Sequence, residues 1–189
     1  MSAMHMLPRT LMHLRRAKRA SRLGLTDVAR AEFRVSPTDI DVLRHMNNGK
    51  YLSIMDVARF ELMQRNGVLA AFDREGWYPV VVAQTITYRK SLNPWKRFAI
   101  ESKVLGFDEQ AVYMEQRFLR PDRSGSDEIY ARAFVRSRIL RRSGGVVPVD
   151  EIIERLGADP AEFHVSDDLL AWGRLSRLQS TREPAPNAW

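Results

Sequence analysis

Between Asp39 and Tyr51 the chain gathers two carboxylates, one imidazole and two side-chain amides: Asp39-Ile-Asp41-Val-Leu43-Arg44-His45-Met-Asn47-Asn48-Gly49-Lys-Tyr51. An apolar segment with helical spacing follows at once. Asn47 or Asn48 is a natural N-cap, whose side-chain oxygen accepts from an orphan backbone N–H. The N–H groups and the positive dipole end of such a helix favour developing negative charge. A carboxylate beside it can act as a nucleophile or as a general base, and a histidine can carry protons near neutral pH. The chemistry these residue types suggest is attack on a carbonyl.

The elements that must hold this loop are readable around it. A short strand is predicted over 31–35, stopped by Ser36-Pro37. A helix is predicted over 49–66, closed by Gly67. Tyr51, Met55, Ala58 and Leu62 form one apolar stripe, and Leu52, Ile54, Val57, Phe60 and Met63 widen it past a single face. A helix apolar on most sides is enclosed rather than laid on a surface. From residue 80 the period changes to two, with strands predicted over 80–90, 97–105, 111–120 and 127–141, separated by turns at 91–94, 106–108 and 121–125. In the third of these, Val112, Met114, Gln116 and Phe118 share a side. In the fourth, Ile129, Ala131, Ala133, Val135 and Ile139 face opposite Tyr130, Arg132, Phe134, Arg136 and Arg138. Short helices are predicted over 149–156 and 167–178, and 181–189 reads as a loose tail. A strand, one enclosed helix and four antiparallel strands make an α+β fold, a curved antiparallel sheet wrapped around a long central helix.

Composition narrows the chemistry further. The 189 residues suffice for one core plus tails, and with 44% apolar residues a globular class is favoured. The absence of cysteine removes disulfides, thiolate metal sites and cysteine nucleophiles. His5, His13, His45 and His164 lie at no metal-ligand spacing, so no metal and no resident cofactor are expected. No run of apolar residues is long enough for a membrane span, and no secretory core is present, which points to the cytoplasm. The formal charge of +7 attracts anions. It is spread over the chain without a nucleic-acid motif, so no nucleic-acid partner is expected. Residues 1–25 are basic, with Leu7, Leu11 and Leu14 at helical spacing. They suit a solvated leader, a membrane-surface or partner-docking helix, or a targeting leader.

The loop and the element order together resemble the hotdog-fold thioesterases, in which a long helix lies inside a curled sheet. The segment Asp39 to Tyr51 is similar to the motif of plant acyl-ACP thioesterases and of the 4-hydroxybenzoyl-CoA thioesterase group. It looks closest to thioesterase-superfamily-member-6-like proteins through Tyr51-Leu52, Ala58-Arg59, Gly67-Val68-Leu69, Tyr88-Arg89-Lys90-Ser91-Leu92 and Leu105-Gly106-Phe107-Asp108. The likeness implies a hotdog domain over 31–157; outside it the sequence itself reads as a basic leader over 1–30 and a partly helical extension over 158–189.

The resemblance implies hydrolysis of acyl thioesters of coenzyme A or acyl carrier protein. The coenzyme A moiety belongs to the substrate, and the protein forms a homodimer or a dimer of dimers with sites between subunits. Asp41 matches the active carboxylate, with Asp39 as the alternative if the loop register differs. His45 matches the assisting histidine. Asn47 and Asn48 match the amide pair, as caps or as flanks of backbone N–H groups that polarise the carbonyl. Gly49, Tyr51 and Arg59 fall at substrate-facing positions, while Gln64 and Gln84 are weaker candidates. Arg89, Lys90, Arg136 and Arg138 are the cations for coenzyme A phosphates. Two departures stand out: Leu43 replaces the asparagine of the plant enzymes, and Arg44 replaces the glycine of many coenzyme A thioesterases. They motivate an alternative, a non-catalytic acyl-binding or scaffold protein.

Overall fold

The computed structural model describes residues 6–178 and Pro184; most of the 181–189 tail lies outside the described residues. Helix α1 (Met6–Ala17) precedes strand β1 (Ala29–Arg34). Helices α2 (Asn48–Arg65) and α3 (Val68–Glu75) follow, then β2 (Trp77–Tyr88), β3 (Arg97–Phe107), β4 (Val112–Pro121) and β5 (Asp127–Arg141). Helices α4 (Val149–Leu156) and α5 (Asp167–Leu175) complete the described elements. Among the described residues no helix is long and apolar enough to cross a membrane.

The five strands form one antiparallel sheet in the order β1-β3-β4-β5-β2. One row crosses the whole sheet: Ala31 opposite Ile100, Ile100 opposite Phe118, Phe118 opposite Ala131, and Ala131 opposite Tyr88. Its members share a face because side chains alternate along each strand. Register breaks at Val81/Ala83, Val104/Gly106 and Phe118/Leu119 bend the strands, as bulges do, and help the sheet curl.

Helix α2 fills the curl. Ile54, Met55 and Leu62 are fully buried, and the face that turns from the sheet is covered by α1. Burial of each such side chain contributes about 2 kcal/mol. The helix is thus enclosed from both sides, as its all-round apolarity requires. Between α1 and α2, His13 Nδ1 lies 2.7 Å from Glu61 Oε2, and the His13 ring stacks on Phe33. A second core joins Val68 and Phe72 of α3, Trp77, Ile139 and Ile152 of α4.

Three local differences from the sequence reading have physical causes. Helix α3 was not expected, because Gly67 ended the preceding helix; at φ +80° it serves as the left-handed hinge between two helices. Gly106 and Phe107 lie inside β3 rather than in a turn, and the hairpin turns after them, where the Asp108 N–H donates to the Ala111 carbonyl. Gly106 is required by close approach: a Cβ there would meet Val165 at 2.8 Å. The last helix stops at Leu175.

Candidate active site

The loop before α2 is a small hairpin. Ile40 bridges Met46, the Asp41 N–H donates to the His45 carbonyl at 3.0 Å, and the Arg44 N–H donates to the Asp41 carbonyl at 3.0 Å. Val42 and Leu43 form its tip, and Val42 is 96% exposed. Arg44 sits at φ +61°, the left-handed position that closes such a three-residue loop. The Met46 N–H donates to the Leu92 carbonyl and the Asn47 N–H to the Asp39 carbonyl, each at 2.8 Å, which fixes the hairpin to the body.

This hairpin displays Asp41 and His45 side by side. His45 Nδ1 lies 3.7 Å from Asp41 Oδ1, and both side chains are half-buried. Asp41 Oδ1 also accepts from the Leu43 N–H at 2.9 Å, so the carboxylate is aimed by its own turn. Asp39 is different. It is fully buried, takes two hydrogen bonds from Arg9 at 3.2 and 2.7 Å, and accepts from the Ser36 N–H at 2.9 Å. It is an anchor of the loop, walled off from any substrate, and the role of alternative active carboxylate does not fit that place.

Asn47 is the N-cap of α2, its Oδ1 accepting from the Gly49 N–H at 2.9 Å. That N–H is therefore committed to the cap, and of the two backbone groups considered as carbonyl donors Asn48 is the one left to consider. Asn48 is exposed on the first turn, and its carbonyl faces the Tyr88 hydroxyl at 3.5 Å. Tyr51 is buried between Tyr88 and Phe118, with ring centres 5.0 and 4.9 Å away. Burial pushes its hydroxyl up to about 12, against a lowering contact with the backbone at Leu92. Its position makes it a wall of the loop's support.

Arg59 lies about two turns beyond Tyr51 on α2, buried, donating to Gln116 Oε1 at 2.6 Å and paired with Asp56. Burial pulls its guanidinium down, and Asp56 opposes that. Gln116 in turn donates to the Met55 carbonyl at 3.1 Å and to Ser102 Oγ at 2.9 Å. Sequence reasoning passed over Gln116, and the signal was present: one amide within the apolar stripe Val112, Met114, Phe118.

Arg59 and Asp56 edge a mainly apolar cavity of about 130 Å³, walled by Phe60, Met63, Val104, Val112 and Phe163 among others. It runs between the C-terminal half of α2, the sheet and the 158–163 segment. Asp41 is not in its lining. In a single chain the carboxylate and the cavity sit toward opposite ends of a helix about 27 Å long.

The remaining predicted cations separate into three environments. Arg89 and Lys90 share Glu128, each at 2.7 Å, on the exposed rim. Arg136 is buried under α5 and bonds Asp108 at 2.8 Å and the Tyr113 hydroxyl at 3.0 Å. That guanidinium points into protein, so strand alternation alone misplaces it on an open face. Arg138 donates to Gln110 at 2.5 Å, and its Nε is buried with no partner among the described residues. Burial first, then repulsion from Arg136 and Arg177, pulls its guanidinium down. Gln84 is exposed on β2, and Gln64 is half-buried on α2 away from the hairpin.

Comparison with known proteins adds the context. A family model described as the thioesterase-like superfamily matches residues 35–172. Protein THEM6 of Danio rerio is 34% identical over 148 residues, 78% of this chain and 69% of that protein. Protein THEM6 of Xenopus laevis is 44% identical over 85 residues, 45% of this chain, and the match spans only 41% of that protein's length. Among solved structures, YbaW of Escherichia coli, titled a probable thioesterase, superposes with a TM-score of 0.60 at 19% identity. It covers 67% of this chain and 95% of that one, a likeness of fold.

Proposed function

The chain belongs to the thioesterase-like superfamily and has its hotdog fold, and from that premise we propose that it hydrolyses acyl thioesters carried on coenzyme A or acyl carrier protein. The observation that carries the reading is the hairpin that sets Asp41 beside His45 at the N-terminal end of α2. Asp41 takes a proton from water as the water oxygen bonds to the thioester carbon. The helix N-terminus stabilises the negative charge that moves onto the carbonyl oxygen. Collapse of the adduct breaks the carbon–sulfur bond, and the proton passes to the departing thiolate, with His45 as its carrier. Free acid and thiol result. In the variant route Asp41 attacks directly and water then opens the anhydride.

The acyl group goes to the apolar cavity, and the separation of that cavity from Asp41 in one chain calls for a second copy. Strand β2 is an edge strand of twelve residues whose side chains Tyr78, Val81, Val82 and Tyr88 are exposed. Long apolar edges are normally paired. Twofold pairing of β2 with its counterpart extends the sheet and sets the two α2 helices antiparallel. The Asp41 end of one helix then lies by the cavity end of the other. A second reading, acyl binding without turnover, is favoured by that same separation if the chain acts alone.

One experiment decides between them. Asp41→Asn and a cavity-blocking Leu156→Trp are each purified, then denatured and refolded together. If each site draws on both chains, two parents inactive toward a long acyl thioester give mixed dimers with one intact site, and about a quarter of the wild-type thiol release from that substrate returns. No recovery, with parents that fold and mix, overturns the shared site. Thiol release by wild type no faster than the blank, across a panel of acyl-CoA and acyl carrier protein substrates, overturns hydrolysis itself and leaves binding.

A further inference from the structure

Helix α1 turns one face to α2, where His13 and Ala17 are buried and Arg9 reaches inward to Asp39. Its opposite face has no packing partner among the described residues and is unusual in composition. Leu7, Leu11 and Met12 are 62%, 54% and 44% exposed, and Pro8 lies beside them. These apolar side chains occupy the N-terminal half of the ridge. Arg15 and Arg16 occupy the C-terminal half, and Lys18, Arg19 and Arg22 follow just beyond the helix, all exposed. Leu7, Leu11 and Arg15 follow at four-residue steps, so they line one outward stripe of the helix.

Among the described residues no carboxylate pairs with these cations. Pro8, Leu11, Met12, Arg15, Arg16 and Arg19 neighbour one another in one open surface patch without an acidic residue. A neighbouring groove gathers Lys18, Arg22, Arg65 and Arg74, again without one. The acids that touch α1, Asp39 and Glu61, face the interior and are already bonded to Arg9 and His13. Among the described residues none of Arg15, Arg16, Lys18, Arg19 and Arg22 forms an ion pair.

We propose that the outward ridge of α1 docks the protein on an anionic lipid surface. Laid flat, the helix places Leu7, Leu11 and Met12 at the boundary of headgroups and acyl chains, while the arginines and lysine reach lipid phosphates. Long cationic side chains suit this depth, since their stems lie in apolar surroundings and their heads stay wet. A fluid bilayer favours this convex ridge over a protein partner, because lipids rearrange around a protruding helix whereas a protein needs a matching concave surface. The inference does not depend on the hydrolytic reading.

The test uses the full chain in flotation with vesicles of phosphatidylcholine alone, and of phosphatidylcholine and phosphatidylglycerol in equal parts. Binding is expected to the anionic vesicles only, and to weaken as salt rises. The triple variant Arg15→Gln, Arg16→Gln, Arg19→Gln should lose roughly a hundredfold in affinity, about fivefold for each cation. The double variant Leu7→Ser, Leu11→Ser should lose binding while keeping the charge. All five positions are exposed, and unchanged circular dichroism and melting confirm that each variant folds. Equal flotation with both vesicle types, or a triple variant that binds like wild type, overturns the proposal. So does retention on an acidic protein or on DNA with no flotation.

Discussion

Arg9 of α1 holds Asp39 through two hydrogen bonds, Nη2 to Oδ2 at 2.7 Å and Nη1 to Oδ1 at 3.2 Å, and Asp39 has no exposed surface. The N-terminal helix is therefore wired to the base of the hairpin that carries Asp41, thirty positions away in sequence. The Asp39 carbonyl receives the Asn47 N–H at 2.8 Å, so the same residue also sets the start of α2.

Arg9→Ala leaves that buried carboxylate with the Ser36 N–H and no counter-charge. Breaking one partner of a buried pair costs about 3 kcal/mol. Urea unfolding should show that loss, and turnover should fall with it because the hairpin loses its anchor. Arg9→Ala combined with Asp39→Asn should regain part of the stability, since the isolated charge is gone. A single variant as stable as wild type would mean that solvent reaches Asp39.

Arg44 offers a change in the opposite direction. Its φ of +61° closes the hairpin in a region where a side chain strains the backbone and glycine does not. Arg44→Gly relieves about 1 kcal/mol or more of strain and returns about half of that as added freedom of the unfolded chain. The net expectation is a small gain in stability, read as a higher urea midpoint, with Asp41 chemistry retained. A lower midpoint would show that the Arg44 side chain contributes contacts that outweigh the strain.

What the sequence made legible follows local rules. The apolar positions from Tyr51 to Leu62 and the stop at Gly67 define α2, because a helix enclosed on both sides must be apolar all round. The alternation from Asp127 to Arg141 defines β5 at both ends. A cap at Asn47 or Asn48 follows from their place before the helix, and the structure gives it to Asn47. What escaped reading depends on distant partners. Asp39 and Asp41 are equivalent as letters, and it is Arg9 that separates the anchor from the half-buried acid beside His45. Arg136 reads as an outward cation until α5 covers it, with Gly173 so close to Tyr113 that a Cβ would overlap the hydroxyl. The cavity has walls from α2, α3, all the long strands and the 158–163 segment, so no local pattern marks it.

Tyr51 gives the protein an alkaline limit. Burial raises its hydroxyl to about 12 in the fold, against about 10 in the unfolded chain. The folded state thus keeps a proton that the unfolded state releases first. The stabilisation is complete below about 10 and is lost as pH rises from there through the folded value. Thermal melts of wild type across that window should fall more steeply than those of Tyr51→Phe, which has no proton to lose. Parallel curves for the two proteins would assign the alkaline loss to other groups.

Val112 tests the cavity as the acyl chamber. It lines the space and packs against both hydrophobic clusters, at the point where they meet. Val112→Phe adds a ring to a volume of about 130 Å³, and an apolar cavity of about 150 Å³ is known to hold a benzene-sized molecule. One phenyl group therefore takes up most of the room. Turnover of the shortest acyl thioesters should remain near wild type, because their acyl groups are too small to need the space that the new ring fills. The longest substrate that wild type accepts should lose about tenfold or more in kcat/KM, equal to about 1.4 kcal/mol of lost transition-state binding. The loss should appear chiefly in KM if the acyl chain is held equally in ground and transition states. Overpacking can destabilise by about 1–3 kcal/mol, so urea unfolding is measured alongside, and a folded variant with an unchanged chain-length profile would place the acyl group elsewhere.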